Sequence, residues 1–231
     1  AAVYQRINHR RPEGKFLIKA IVFDFGRVIT AQKPLSLFRR YEEDLGLSPG
    51  AINTIMFQSR AWQETLTGRK TAEEFWLAVG PELGLNSPEE INSFRGRYHA
   101  DEAANEGVLD LIRRLHGRYK LAVLSNSPPG LARWLSDWRI LDFFDVVFCS
   151  GDEGITKPDP AAFRITLERL GVKPEETVFI DDTMEHVKAA GALGIHGILF
   201  TASEALEGDL DRLLSRDAAG FRGRKTREPG G

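Results

Sequence analysis

Residues Ala20 to Thr30 read AIVFDFGRVIT. Four apolar residues, β-branched Ile21 and Val22 among them, run straight into Asp24, and Gly26 follows two places on. An apolar run of this length without polar alternation predicts a strand buried on both faces, as the middle of a parallel sheet requires. Asp24 then stands at the carboxyl end of that strand, where open α/β sheets bind their ligands because helices cover both faces. The same aspartate would also serve simply to end the strand by bonding the following loop, so the rest of the chain has to separate the two roles.

Composition bounds the answer. A chain of 231 residues is long enough for a full core and a modest second domain. Its 42% apolar and 28% charged residues, with a formal net charge of -2, favour neither nucleic acid nor an anionic membrane surface. A single cysteine, Cys149, excludes an intrachain disulfide and a cysteine-built metal site, and its apolar neighbours predict a buried small side chain. No apolar stretch reaches the ~18 residues of a membrane span. The start of the chain lacks the pattern of a secretory leader, so a cytoplasmic setting is expected.

Past Asp24 the pattern turns helical. Leu35, Phe38, Tyr41 and Leu45 recur at helical spacing behind Pro34 and stop at Gly46. Ile52, Ile55 and Met56 mark a short helix, and Trp62 and Leu66 another. Thr71 with Glu74 has the spacing of a capping box for a helix carrying Phe75, Trp76 and Val79. Ser87 or Asn86 caps a further helix through Ile91, Phe94 and Tyr98, with Pro88 in its first turn. Residues 34–104 therefore read as an all-helical insertion lying over the crevice beside Asp24.

Strands and helices then alternate. A helix through Val108 and Leu115 leads to a strand over Lys120–Leu124 that delivers Ser125 and Asn126. Pro129 begins a helix, Asp145–Cys149 forms a strand, and the loop SGDEGITKPDP leads to a helix over Pro160–Leu170. A strand over Thr177–Ile180 ends in Asp181 and Asp182, a helix follows as far as Gly191, and Ile195–Phe200 is the fifth strand before a last helix from Ser203. The expected class is α/β, a Rossmann-like three-layer core with a five-stranded parallel sheet and a small all-helical cap. The core comprises residues 1–33 and 105–214, the cap 34–104, and residues 215–231 form a basic, flexible tail. The arginines and lysines of residues 1–19 read as a solvated lead-in. No repeat and no glycine-rich nucleotide fingerprint is found.

Polar signals collect at the strand ends: Asp24, Ser125 with Asn126, Lys157, and the pair Asp181 and Asp182. Three neighbouring carboxylates raise one another's pKa unless a cation neutralises them, and an all-oxygen donor set points to magnesium rather than zinc. Lys157, Ser125 with Asn126, and the backbone N–H groups of Phe25 and Gly26 suit an anionic tetrahedral group. A carboxylate facing phosphorus beside a divalent ion can act as nucleophile.

The stretches FDFGRV at 23–28, LSNS at 124–127, GITKPDP at 154–160 and FIDD at 179–182 resemble, in order and spacing, the four signature motifs of the haloacid dehalogenase-like hydrolase superfamily. The resemblance runs from about Ile18 to Leu214. It implies that Asp24 is the nucleophile, that the Gly26 carbonyl and Asp181 bind Mg2+ with Asp24, and that Asp182 supports metal and water. It also implies phosphate binding by Ser125 and Lys157, and a substrate that is a small phosphorylated metabolite. His186, where many relatives have asparagine, is expected to brace the loop.

Position 26 departs from the pattern, because phosphatases of this superfamily usually carry there a second aspartate that serves as general acid. Its absence matters least for a good leaving group, such as an anomeric sugar phosphate. Some relatives that resemble this chain in having glycine there are phosphatases. Two alternatives stand beside a phosphatase: a metal-independent 2-haloacid dehalogenase, and a catalytically weak domain kept for binding. Specificity is expected in the cap, with Arg39, Arg40, Arg60, Trp62, Lys70, Trp76 and Arg97 as candidates, and the chain is expected to be a monomer or a homodimer.

Overall fold

The apolar runs become the strands of one parallel sheet. In the computed structural model, which describes residues 17–222, these are β1 (Ala20–Phe23), β2 (Lys120–Ser125), β3 (Val146–Cys149), β4 (Thr177–Asp181) and β5 (His196–Leu199). Their order is β3-β2-β1-β4-β5, with Phe23 in register with Val123 on one side and Ile180 on the other. The chain builds outward from β1 through β2 to β3 and then crosses to β4, so the topological switch lies between the ends of β1 and β4. A crevice opens there by construction.

Alternation along β1 divides the core into two layers. Ile21 and Phe23 pack with α6 (Glu106–Leu115), α7 (Leu131–Asp137) and the first half of α11 (Ser203–Arg222), through Ile112, Leu135 and Leu206. Ala20 and Val22 face the opposite side, where Phe163, Leu167 and Leu170 of α9 (Pro160–Leu170) and Ala190 of α10 (Met184–Ala192) cover them. A short α8 (Ser150–Glu153) follows β3 directly.

The segment between β1 and α6 folds as α1 (Leu35–Leu45), α2 (Ala51–Phe57), α3 (Arg60–Leu66), α4 (Ala72–Val79) and α5 (Pro88–Ala100) around a core of its own, with Tyr41, Ile52, Met56, Phe75, Trp76 and Phe94 at its centre. The expected capping box of Thr71 with Glu74 forms, and Ser87, one of the two caps expected for the later helix, makes a second box with Glu90 behind Pro88. Glu42, buried in this unit, accepts from the Ile52 N–H and so satisfies an orphan donor in the first turn of α2. Two crossing segments join the unit to the sheet, with Thr30 bridged to Ala104 and Asn105 N–H donating to Ile29. At its far side Gly68, at φ +71, comes so close to the Gly151 carbonyl that a Cβ would lie 2.3 Å from that oxygen. A side chain there would push the cap off the core.

Four of the strands shift by one residue at one or both ends, and three helix boundaries also differ from expectation. The helix assigned to Pro129 starts at Leu131, because Gly130 takes a left-handed conformation just before it. Gly191 lies inside α10, which runs to Ala192; the left-handed glycine beyond its end is Gly194. The last helix continues to Arg222, past Leu214 and into the stretch expected to be tail. The lead-in before Leu17 and the tail beyond Arg222 lie outside the described residues. No described helix is long and apolar enough to cross a membrane.

Candidate active site

Asp24 leaves β1 with its N–H bonded to the Ile180 carbonyl of β4 at 2.8 Å, which pins it at the switch point. The chain then makes one loose turn, closed by Thr30 N–H donating to Phe25 O. Within it Arg27 takes φ +61, a left-handed conformation uncommon for arginine, and its N–H donates to Thr30 Oγ1. Gly26 beside it has ordinary angles, φ −66 and ψ 124.

Lys157 arrives on the loop between α8 and α9. Its ammonium lies 2.6 Å from Asp24 Oδ1 and 2.6 Å from Asp181 Oδ2, and its side chain is 1% exposed. Asn126 holds the lysine's backbone from both sides: its Nδ2 donates to Lys157 O at 2.8 Å and its Oδ1 accepts from Lys157 N–H at 2.7 Å. Both amide atoms of Asn126, expected at a bound phosphate, are thereby engaged in positioning the lysine. Ser125 ends β2, is buried, and makes no side-chain hydrogen bond among the described residues.

Asp181, fully buried at the end of β4, accepts from Thr183 N–H and faces Nδ1 of His186 at 3.0 Å. His186 thus braces Asp181 from the first turns of α10. Asp182 turns the other way and pairs with Arg27 Nε at 2.8 Å. Oxygens of Asp24, Asp181 and Asp182 all lie within 4.8 Å of one another. Three carboxylates so close, with no sulfur among them, are a donor set that fits a hard divalent cation.

Burial pushes the Asp24 carboxyl up to about 6; the ammonium of Lys157 draws it down, while the charges of Asp181 and Asp182 push it further up. Burial also opposes the charge on Asp181, but the His186 hydrogen bond and Lys157 together outweigh it and hold that carboxyl below its usual range. Cys149 is buried, as expected, and burial raises its thiol, so it is poorly placed to react.

Two connected cavities lie between the sheet ends and the helical cap. The larger, about 810 Å³, is the more polar of the two: Asp24, Lys157, Asp182, His186, Lys33 and Arg39 line it. The smaller, about 320 Å³, is walled mainly by aromatic rings and reaches Ser125. Of the cap residues expected to set specificity, Arg39 lines the polar cavity, Trp76 the apolar one and Trp62 both. Arg60 and Lys70 pair with Glu64, and Arg97 pairs with Asp44. Sequence reasoning missed Arg27 as the partner of Asp182, and missed Lys33 with Glu102, an ion pair spanning 69 positions on the cavity wall. The first hinges on a backbone angle that arginine gives no sign of. The second joins the two ends of the insertion, where chain spacing alone suggests no contact.

A family model described as haloacid dehalogenase-like hydrolase matches residues 14–194. Among curated proteins, sesquiterpene phosphatase astK of Aspergillus oryzae is 28% identical over 204 residues, 85% of this chain and 96% of that one. D-ribitol-5-phosphate phosphatase of Bacteroides thetaiotaomicron is 30% identical over 191 residues, 77% of this chain and 89% of that one. Among solved structures, a HAD-like family hydrolase of Porphyromonas gingivalis superposes with a TM-score of 0.67 at 29% identity, covering 86% of this chain and 98% of the other.

Proposed function

The chain belongs to the haloacid dehalogenase-like hydrolase family, in its phosphatase-like branch, and from that premise we propose that it is a magnesium-dependent phosphomonoester hydrolase with Asp24 as nucleophile. One observation carries the proposal: Asp24, Lys157, Asp181 and Asp182 converge at the switch point of the sheet, with Ser125 ending the neighbouring strand. The names of relatives that act on quite different phosphate esters agree with it in the one chemistry they share.

Asp24, Asp181, Asp182 and the Gly26 carbonyl would hold the magnesium ion, which supplies charge neutralisation for the phosphoryl oxygens when bound. Lys157 and Ser125 bind and orient the phosphoryl group, together with the N–H groups of Phe25 and Gly26. An Asp24 carboxylate oxygen forms a bond to phosphorus as the bond to the ester oxygen breaks, and the departing oxygen takes a proton from water in the polar cavity. A second water then attacks phosphorus and gives its proton to the hydroxide left by the first, the aspartyl oxygen leaves, and inorganic phosphate is released with the Asp24 carboxylate regenerated. Asn126 and His186 act through others, the first by fixing the Lys157 backbone and the second by orienting Asp181.

The three-carboxylate cluster favours this chemistry over metal-independent dehalogenation, which has no use for a divalent cation. Phosphate release from p-nitrophenyl phosphate, with magnesium and with a chelator, tests it alongside Asp24→Asn. Turnover that needs the metal and falls to background in the variant is expected. Unchanged turnover in Asp24→Asn would sink the assignment of the nucleophile.

A further inference from the structure

We propose that the cavity of about 320 Å³ is the subsite for the alcohol part of the substrate, and that it selects phosphomonoesters of apolar, hydrocarbon alcohols over those of sugars and polyols. This rests on the phosphatase assignment above and deepens it. The cavity size lies at the lower end of the ~300–1,000 Å³ usual for small-molecule sites.

Continuity is the first argument. Gly26 and Asn126 line both cavities, and Ser125 lines the smaller one, so a group esterified to a phosphate held by Ser125 and Lys157 has this space beside it. The wall is the second. Phe57, Trp62, Phe75, Trp76, Tyr98 and Trp134 surround the space. The rings hold one another in tilted and edge-to-face contacts: Phe57 to Trp62 at 5.3 Å, Trp62 to Phe75 at 5.3 Å, Phe75 to Trp76 at 5.6 Å and Trp76 to Tyr98 at 5.6 Å. His99 continues the chain to Trp134 on the core at 5.2 Å, so the cap and the sheet domain share one aromatic surface.

The third argument is what the wall withholds. Most polar side chains on the wall are already engaged, and the Ser125 hydroxyl is kept for the phosphate, which leaves the Tyr98 hydroxyl and the indole N–H groups as the unbonded side-chain partners among the described residues. Asn126 is bonded to Lys157, Thr30 to Arg27, Ser127 to Cys149, and Glu102 to Lys33. His99 is packed between Trp76 and Trp134, where burial lowers its pKa and keeps it neutral. A polyol would therefore bury more hydroxyls than this wall has free partners for, whereas a hydrocarbon chain gains from leaving water. The anomeric sugar phosphate expected from the glycine at position 26 is the substrate this wall disfavours.

Two measurements on the full chain test the proposal. The first is binding of straight-chain alkylphosphonates, which cannot be hydrolysed, followed by tryptophan fluorescence because Trp62, Trp76 and Trp134 line the cavity. Affinity is expected to tighten about fourfold for each added methylene until the space is filled, and so by about a thousandfold from methyl- to hexylphosphonate when all five added methylenes are buried. Trp134→Ala should flatten that dependence. The second is kcat/KM for alkyl phosphates against ribitol 5-phosphate and glucose 6-phosphate in magnesium, with p-nitrophenyl phosphate as the reference for turnover as such. Alkyl esters that outpace the polyol esters while the reference is hydrolysed support both proposals. Reference turnover with no gain from chain length, or with ribitol 5-phosphate preferred, overturns the subsite and leaves the phosphatase standing. Chain-length-dependent phosphonate binding with no hydrolysis of any ester keeps the apolar site and overturns the phosphatase. Phosphonate affinity independent of chain length overturns the subsite whatever the enzyme hydrolyses.

Discussion

The ammonium of Lys157 lies 2.6 Å from Asp24 Oδ1, in a site where both side chains are nearly closed to solvent. It makes an equal bond to Asp181, so one cation answers two buried carboxylates. Removing it leaves Asp24 without its cationic partner and Asp181 with only His186 and the Thr183 N–H, and breaking such a buried pair costs about 3–5 kcal/mol. Lys157→Met is therefore expected to lower the stability of the chelated protein by that order in urea denaturation. Magnesium should restore part of the loss by replacing the missing positive charge. A Lys157→Met protein as stable as wild type in chelator would show that the pair carries no such weight.

Asp24 gives stability a definite pH dependence. Its carboxyl is raised from 3.8 to about 6 in the folded chain, chiefly by burial, so folding favours the protonated form. That contribution is complete below pH 3.8 and is lost as the pH rises through about 6, amounting to about 3 kcal/mol. Asp24→Asn removes the titration while Asp181 and its opposite shift remain in both proteins and cancel in the comparison. With metal chelated, the variant should be the more stable at pH 7–8, and the gap should close toward pH 4. The same substitution that removes the proposed nucleophile is thus expected to raise the apo protein's stability at neutral pH. A gap that stays constant from pH 4 to 8 would contradict the raised Asp24 carboxyl.

Much of this architecture was legible because each strand of the core is a short apolar run broken by a polar residue at its carboxyl end. Ala20–Phe23 into Asp24 and Thr177–Ile180 into Asp181 show the pattern, and caps such as Thr71 and Ser87 carry their partner three residues on. Helix ends were less legible where glycine was the only sign. Gly191 reads as a stop yet sits inside α10, whereas Gly194, at φ +92, lies just past its end. What distinguishes them is a backbone angle set by packing, and composition does not carry it.

At the site, the residue types at the strand ends were legible but their partners were not. Asp181 and Asp182 are adjacent, and successive residues at a strand end point apart, so one meets Lys157 and His186 while the other meets Arg27. Asn126, expected at a bound phosphate, also bonds through both amide atoms to a backbone 31 positions away, a partner its place beside Ser125 does not reveal. The aromatic wall is a tertiary product as well: Trp62 and Trp76 come from the cap and Trp134 from the core, and their spacing within each helix only marks them as apolar.

Gly26 offers the last test, because nothing in its backbone demands glycine. At φ −66 and ψ 124 any L residue is comfortable, and the nearest atom to an added Cβ is Asp24 Oδ2 at 3.9 Å, an ordinary contact. Gly26→Asp should therefore fold, with its new carboxyl facing the same crevice as Asp24. Crowded by the existing carboxylates, that group would have its pKa raised and would stay protonated near neutral pH, as a proton donor to the departing oxygen requires. General acid assistance is worth roughly 10²–10⁴-fold in favourable cases and least when the leaving group needs no proton. Gly26→Asp is expected to speed hydrolysis of an alkyl phosphate, by up to about 100-fold for an unoptimised graft, and to leave p-nitrophenyl phosphate nearly unchanged. Equal effects on the two esters would mean that protonation of the leaving oxygen does not limit this enzyme, and that Gly26 withholds nothing the reaction needs.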